Sequence, residues 1–119
     1  MSIEKLKQRF KQFAIQVAIL IKETKSNTIN NAYCNQLIRS SSSSAANYYA
    51  ACRGKSKADF INKLKIVEEE LDETIFFLDL LQYFNEDKSI EIDRLKNEGN
   101  ELLAIIVKSI VTTRNNLNK

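Results

Sequence analysis

The strongest constraint on this chain is what it lacks: 119 residues contain no proline and only two glycines, Gly54 and Gly99. These two residue types interrupt helices most strongly, so long uninterrupted helices are open to the chain. β-Branched residues are not gathered into short alternating runs between turn signals, so strands have little support. Hydrophobic residues make up 44% of the chain and charged residues 28%, enough to build one core with a solvated surface. A single domain spanning residues 1–119 is expected. No stretch approaches the ~18 apolar residues of a membrane span. Met1–Lys7 carries scattered charges and no continuous apolar run, unlike a signal peptide. The expectation is a cytoplasmic protein with no membrane partner.

Apolar spacing places four helices. Ile3, Leu6, Phe10, Phe13, Val17 and Leu20 alternate steps of three and four, predicting a first helix over about 3–25. Ser26-Asn27-Thr28 forms the first turn, with Asn27 or Thr28 as cap, and the second helix runs over about 30–53. Its middle holds five consecutive serines, Ser40 to Ser44, followed by two alanines. The flanks keep helical character, so the serines belong to the helix and let neighbouring backbones approach. Gly54 is expected to end this helix in the C′ position. Ser56-Lys57-Ala58-Asp59 reads as a capping box with Asp in place of Glu, opening a third helix over 57–84. Phe60, Leu64, Val67, Leu71, Thr74, Leu78 and Leu81 form its seam. A second stripe holds Ile66, Glu70, Glu73, Phe77, Leu80 and Phe84, more apolar surface than a lone bundle needs; one stripe is assigned to the core and the other to a subunit contact. Ser89 is expected to cap a fourth helix over about 90–116, with Ile92, Leu95, Gly99, Leu102, Ile106 and Ile110 inside. Loops this short make successive helices antiparallel neighbours, so the fold class is all-α, an up-down-up-down four-helix bundle.

The chemistry available is narrow. There is no histidine, which removes the commonest general base and transition-metal ligand. Cys34 and Cys52 are 18 positions, ~27 Å, apart on one predicted helix and cannot pair within it. No phosphate-cradling glycine loop or nucleophile elbow is present. Neither catalysis nor a cofactor is expected. The acidic run Glu68-Glu69-Glu70-Leu71-Asp72-Glu73 stacks carboxylates that can hold a hard cation in principle, but structural pairing is favoured. Arg39, the only charged residue between Lys25 and Arg53, is the expected partner of Glu70 and Glu73.

The net charge of +3 conceals an asymmetry. Residues 1–57 carry ten Lys/Arg against two acids, net +8, and residues 58–119 carry eight against thirteen, net −5. Complementary packing between helices and subunits explains such a split, and so does a basic surface for an acidic partner.

Helices two and three hold a more specific pattern. Gln36-Leu37-x-Arg39, Ser43, Ala46-Asn47-Tyr48, Ala50-Ala51, Arg53, Lys55-Ser56 and Asp59-Phe60-Ile61 continue into Lys63-Leu64-x-Ile66-Val67-x-Glu69-Glu70-x-Asp72-Glu73-Thr74. This segment resembles the four-helix bundle proteins of the rRNA-intervening-sequence family, which is related to the accessory bundle of diversity-generating retroelements. The resemblance implies a bacterial bundle that assembles as a ring-like homopentamer. In the retroelement bundle, a basic pentamer engages a reverse transcriptase and nucleic acid. It also implies that Arg39, Asn47, Asp72 and Glu73, with Glu70 beside them, order the bundle and its oligomer. The chain departs from the family pattern at Tyr49-Ala50-Ala51, where many members read Ala-Glu-Gly.

Two functions follow as expectations. The first is an oligomeric nucleic-acid-binding or nucleoprotein accessory protein, with RNA or DNA held by Lys5, Arg9, Lys11, Lys22, Arg53, Lys55 and Lys57. The second is a protein–protein interaction scaffold with no nucleic-acid role, acting through the acidic, aromatic third helix.

Overall fold

The computed structural model describes residues 1–117 as four helices, with no strand among them. The last two residues of the expected domain lie outside the described ones. Helices α1 (Ile3–Glu23), α2 (Thr28–Ala51), α3 (Lys57–Phe84) and α4 (Ser89–Leu117) form an elongated bundle of 51 × 21 × 20 Å. Each helix packs on its neighbours in sequence and α4 closes back on α1, while α1 and α3 occupy diagonal corners. This is the up-down-up-down arrangement that the short connections require.

Three of the starts are capped by side chains. Ser2 accepts from the Lys5 amide at 3.1 Å, Asn27 from Asn30 at 2.8 Å and Ser56 from Asp59 at 3.1 Å. Asp59 Oδ2 accepts in turn from the amide of Lys55 at 3.2 Å, one residue before the cap, so the expected capping box is replaced by a reciprocal pair that reaches past Ser56. The fourth start differs from expectation. Glu86–Lys88 is a 3₁₀ turn that runs directly into α4. Ser89 already has helical angles, and its hydroxyl accepts from Gln82 Nε2 at 3.1 Å instead of capping.

Gly54 also departs from expectation. Helix α2 ends at Ala51, two residues early, and no glycine adopts positive φ. The chain leaves α2 through tight bonds from Arg53 to Ala50 and from Gly54 to Ala51. A Cβ on Gly54 would lie 3.0 Å from both the Ala51 carbonyl and Asp59 Oδ2, so the position is small because the cap is close.

The core follows the seams. Leu6, Phe10, Phe13, Val17 and Leu20 are buried on α1; Leu64, Val67, Leu71, Thr74, Leu78 and Leu81 on α3; all six expected residues on α4. Two seam members fall outside: Ile3 is exposed at the chain start, and Phe60 is only half-buried, with Ile61 taking the inward place. Gly99 admits close packing, since a Cβ there would meet Ile75 Cγ1 at 3.1 Å and Phe13 Cζ at 3.3 Å.

Helix α2 presents a polar seam. Ser40, Ser41 and Ser44 are fully buried. Ser41 donates to the Leu37 carbonyl and Ser44 to that of Ser41, both at 2.7 Å. Thr74 Oγ1 lies 2.7 Å from Ser40 Oγ and 2.8 Å from the Glu70 carbonyl. These hydroxyls return the hydrogen bonds lost on leaving water, so small polar side chains line the α2–α3 contact without an unsatisfied group.

Candidate nucleic-acid interface

The antiparallel fold turns the sequence's charge asymmetry into an end-to-end polarity. The start of α1, the α2–α3 loop and the close of α4 share one end. There Lys7 lies over the Tyr49 ring at 4.8 Å, and Phe10 stacks on Tyr48 with ring centroids 4.7 Å apart. Phe60 meets Ile105, Ser109 and Thr112 across a depression between α3 and α4. Residues 52–65 at this end hold Arg53, Lys55, Lys57, Lys63 and Lys65 against Asp59 alone, net +4. Helix α4 adds Lys108 and Arg114 and carries no acid after Glu101. At the other end, residues 79–96 hold Asp79, Glu86, Asp87, Glu91 and Asp93 against Lys88, Arg94 and Lys96, and the α1–α2 turn adds Glu23 against Lys22 and Lys25, net −1.

The seven candidate basic residues do not form one surface. Arg53, Lys55 and Lys57 sit together, exposed, on the α2–α3 loop and the first turn of α3. Gly99 faces both Phe13 and Ile75, placing those two residues at about one height. Counting ~1.5 Å per residue from them puts Lys5 ~15 Å along the shaft from Lys57 and Lys22 ~40 Å away. Lys22 therefore belongs to the far end, and exposed Lys11 lies between.

Arg9 is committed elsewhere. Its Nε donates to Glu98 Oε2 at 3.0 Å and its Nη2 to Glu98 Oε1 at 2.5 Å, with Glu101 at 3.3 Å. The fork from Glu98 raises the Arg9 pKa above its already high value, so the guanidinium is charged but its charge is answered. Asp59 is similarly matched. Lys63 donates to it at 2.7 Å and, with the Lys55 amide, holds the carboxyl below its ordinary value.

Of the polar residues expected to order the bundle, three meet. Arg39 donates to Glu70 at 3.1 Å and to Glu73 through its second nitrogen. Those bonds, the Glu73 one foremost, raise the Arg39 pKa. Asn47 instead bonds within its own helix, to the Ser43 carbonyl at 2.9 Å and the Ser43 hydroxyl at 3.0 Å. Asp72 is exposed and outside this network.

One feature escaped sequence reasoning. Asn30 and Asn85 form a reciprocal buried amide pair at 3.0 and 2.9 Å, joining the α1–α2 turn to the end of α3. Their only sequence signal is position: Asn30 continues the inward row Cys34 and Leu37, and Asn85 continues Leu78 and Leu81. The expected second stripe of α3 contributes Phe77 and Phe84 to an aromatic patch: Tyr33 lies 6.1 Å from both, Phe76 is edge-on to Phe77, and Tyr83 is edge-on to Phe84.

Both cysteines are free. Burial pushes the Cys34 thiol up, and burial followed by a bond with Cys52 pushes the Tyr48 hydroxyl well above its ordinary range. Neither offers a ready nucleophile at neutral pH. No cluster of three metal-ligating side chains occurs among the described residues.

Residues 4–108 match the family model of the 23S rRNA-intervening sequence protein. The chain belongs to that family. A solved structure from the S23 ribosomal protein family, a protein of unknown function from Bacteroides thetaiotaomicron VPI-5482, is similar at TM-score 0.77 and 29% identity. The match covers 88% of this chain and 97% of that one. None of the curated proteins compared matches the chain. The match ends at residue 108, short of Arg114 on the last turns of α4.

Proposed function

We propose that this protein is a non-enzymatic, self-associating bundle that binds nucleic acid at its basic end. The observation that carries the reading is the segregation of charge along the long axis. At physiological salt the Debye length is ~8 Å, so the acidic run Glu68–Glu73, ~17 Å or more along α3 from Lys57, does not cancel the basic end. Arg53, Lys55 and Lys57 project from a short, capped turn, a rigid mount for phosphate contacts. The family name points to an rRNA context, and a basic end is what a phosphate backbone selects. A kinship with the accessory bundle of diversity-generating retroelements fits the same end. Self-association sets several basic ends side by side, so modest contacts add as avidity. With no imidazole and its buried thiol and phenol held protonated, the chain suits binding better than turnover.

The test is fluorescence anisotropy with short labelled RNA and DNA at ~150 mM salt. Arg53→Glu, Lys55→Glu and Lys57→Glu together are expected to weaken binding at least ~tenfold, because three phosphate contacts become repulsions. Lys22→Glu with Lys25→Glu at the far end leaves it within a factor of about two. Unchanged affinity in the first variant overturns the reading and passes the function to a protein-binding scaffold.

A further inference from the structure

At the basic end a depression of about 310 Å³ opens between the start of α3 and the last turns of α4. Its lining is Phe60, Ile105, Lys108, Ser109, Thr112 and Thr113. We propose that this depression receives one unpaired base of a nucleic-acid strand, with Phe60 as its stacking platform. The inference rests on the phosphate-binding end proposed above and names what that end selects, single strands over duplexes.

Three kinds of group build the slot. Phe60 and Ile105 supply an apolar wall. Both pack against the core yet stay only half-buried, so part of each faces the depression. Phe60 meets no other aromatic ring among the described residues, so no ring of the protein occupies its π-face. The second kind is a hydroxyl rim. Thr113 donates to the Ser109 carbonyl at 2.8 Å and keeps its oxygen lone pairs. Ser109 and Thr112 add hydroxyls that both donate and accept. A base edge carries donors and acceptors, and hydroxyls answer either kind without selecting one base.

The third kind is cationic. Lys57 and Lys63 lie three residues before and after Phe60, its neighbours on the helix surface, and Lys108 belongs to the lining itself. Lys57 and Lys108 make no ion pair among the described residues. No carboxylate lines the depression. Asp59, next to Phe60 in sequence, is already answered by Lys63 at 2.7 Å and the Lys55 amide at 3.2 Å. A phosphate attached to a base in the slot therefore meets ammonium groups and no unanswered acid.

An aromatic wall, a hydroxyl rim and flanking cations together match a flat heterocycle joined to phosphates. An acidic peptide would leave the apolar wall unanswered, and an aliphatic chain would leave the hydroxyls and lysines so. Bases inside a duplex are paired and stacked on each other, so only an unpaired base reaches a wall set between two helices. Ser109, Thr112 and Thr113 follow residue 108, the last that matches the family model, so the hydroxyl rim lies outside the matched segment.

The test is fluorescence anisotropy with a labelled single-stranded RNA and with a strand of the same length that lacks its bases. Circular dichroism confirms that each variant stays helical. The wild-type chain should hold the complete strand about fivefold or more tighter than the abasic one, the worth of one stacked base. Phe60→Leu should lose that margin while binding the abasic strand as the wild-type does, and Phe60→Tyr should keep it. Thr112→Leu fills the depression from an exposed position away from the core, so it should lose the margin with the fold intact. Equal wild-type affinity for the two strands overturns the inference. So does a margin that survives both leucine variants, or an equal loss on both strands in a folded Phe60→Leu. Displacement of the strand by a hundredfold excess of adenosine monophosphate would give the slot to a free nucleotide and overturn it too. Abasic binding that needs Arg53, Lys55 and Lys57, with no base margin, retires the slot and leaves the basic end standing. A margin carried by Phe60, with affinity indifferent to those three charges, does the reverse.

Discussion

Asn85→Ala tests how the two ends of the helical hairpins are held together. Asn85 Nδ2 donates to Asn30 Oδ1 at 2.9 Å and to the Leu81 carbonyl at 2.7 Å, and its Oδ1 accepts from Asn30 Nδ2 at 3.0 Å. Removing it leaves Asn30 Oδ1 buried with no donor, whereas Asn30 Nδ2 keeps the Lys25 carbonyl at 2.9 Å. One orphaned buried acceptor costs ~1–3 kcal/mol, so a loss of about 2 kcal/mol is expected. With ~2.1 cal/mol/K of unfolding entropy per residue, each kcal/mol shifts Tm by about 4 °C, giving a fall of about 8 °C. The assay is urea denaturation and thermal melting of the wild-type, both single alanine variants and the double variant. Protein concentration must be held constant, because assembly contributes to apparent stability. The double variant should be less destabilised than the sum of the singles by ~1–2 kcal/mol, since the second substitution removes the group that the first left unpaired. Additivity within ~0.3 kcal/mol would refute the reasoning, because two amides that share both bonds cannot act independently.

Three further outcomes follow from the packing and the caps. Gly99→Leu should destabilise by ~1–3 kcal/mol, read from the urea midpoint, because a Cβ alone would already press on Ile75 at 3.1 Å and Phe13 at 3.3 Å and the rest of the side chain must displace them. Ser56→Ala should cost ~1 kcal/mol through loss of the α3 cap, again in urea. Asp59→Asn should flatten the acid limb of the stability profile. The Asp59 carboxyl is held below its ordinary value by Lys63, so its contribution is present above the unfolded value of ~3.9. That contribution disappears as pH falls through the lower folded value. Wild-type and Asp59→Asn should therefore differ at pH 6 and converge well below pH 3.9; a constant gap contradicts the assignment.

Much of the bundle was readable because each helix buries one stripe, and steps of three and four reveal a stripe without knowledge of its neighbours. Phe10, Leu71 and Ile106 needed nothing more. Features set by tertiary approach were not readable. Gly54 resembles a helix-ending glycine in sequence, but its smallness answers the proximity of Asp59, which only the folded turn creates. Ser89 has the composition of a cap, yet a 3₁₀ turn delivers the chain to α4 already helical. The Asn30–Asn85 pair spans 55 positions, and neither residue announces its partner. The charge pattern was visible as two halves of the sequence. An up-and-down chain spreads each half along the whole length, so the meaningful division is between ends. That geometry joins Arg53, Lys55 and Lys57, removes Lys22 to the other end and, with Glu98, occupies Arg9.

The central claim, that the loop end meets phosphates, is tested most directly by the salt dependence of RNA binding. The logarithm of the association constant is plotted against the logarithm of salt concentration for the wild-type chain and for Arg53→Ala, Lys55→Ala, Lys57→Ala combined. Each phosphate contact to single-stranded RNA contributes ~0.7 to the slope, so the triple variant should lose about 2 per protomer engaged. Equal slopes in the two proteins would mean that these three side chains release no counterions and that the basic end is not the binding face.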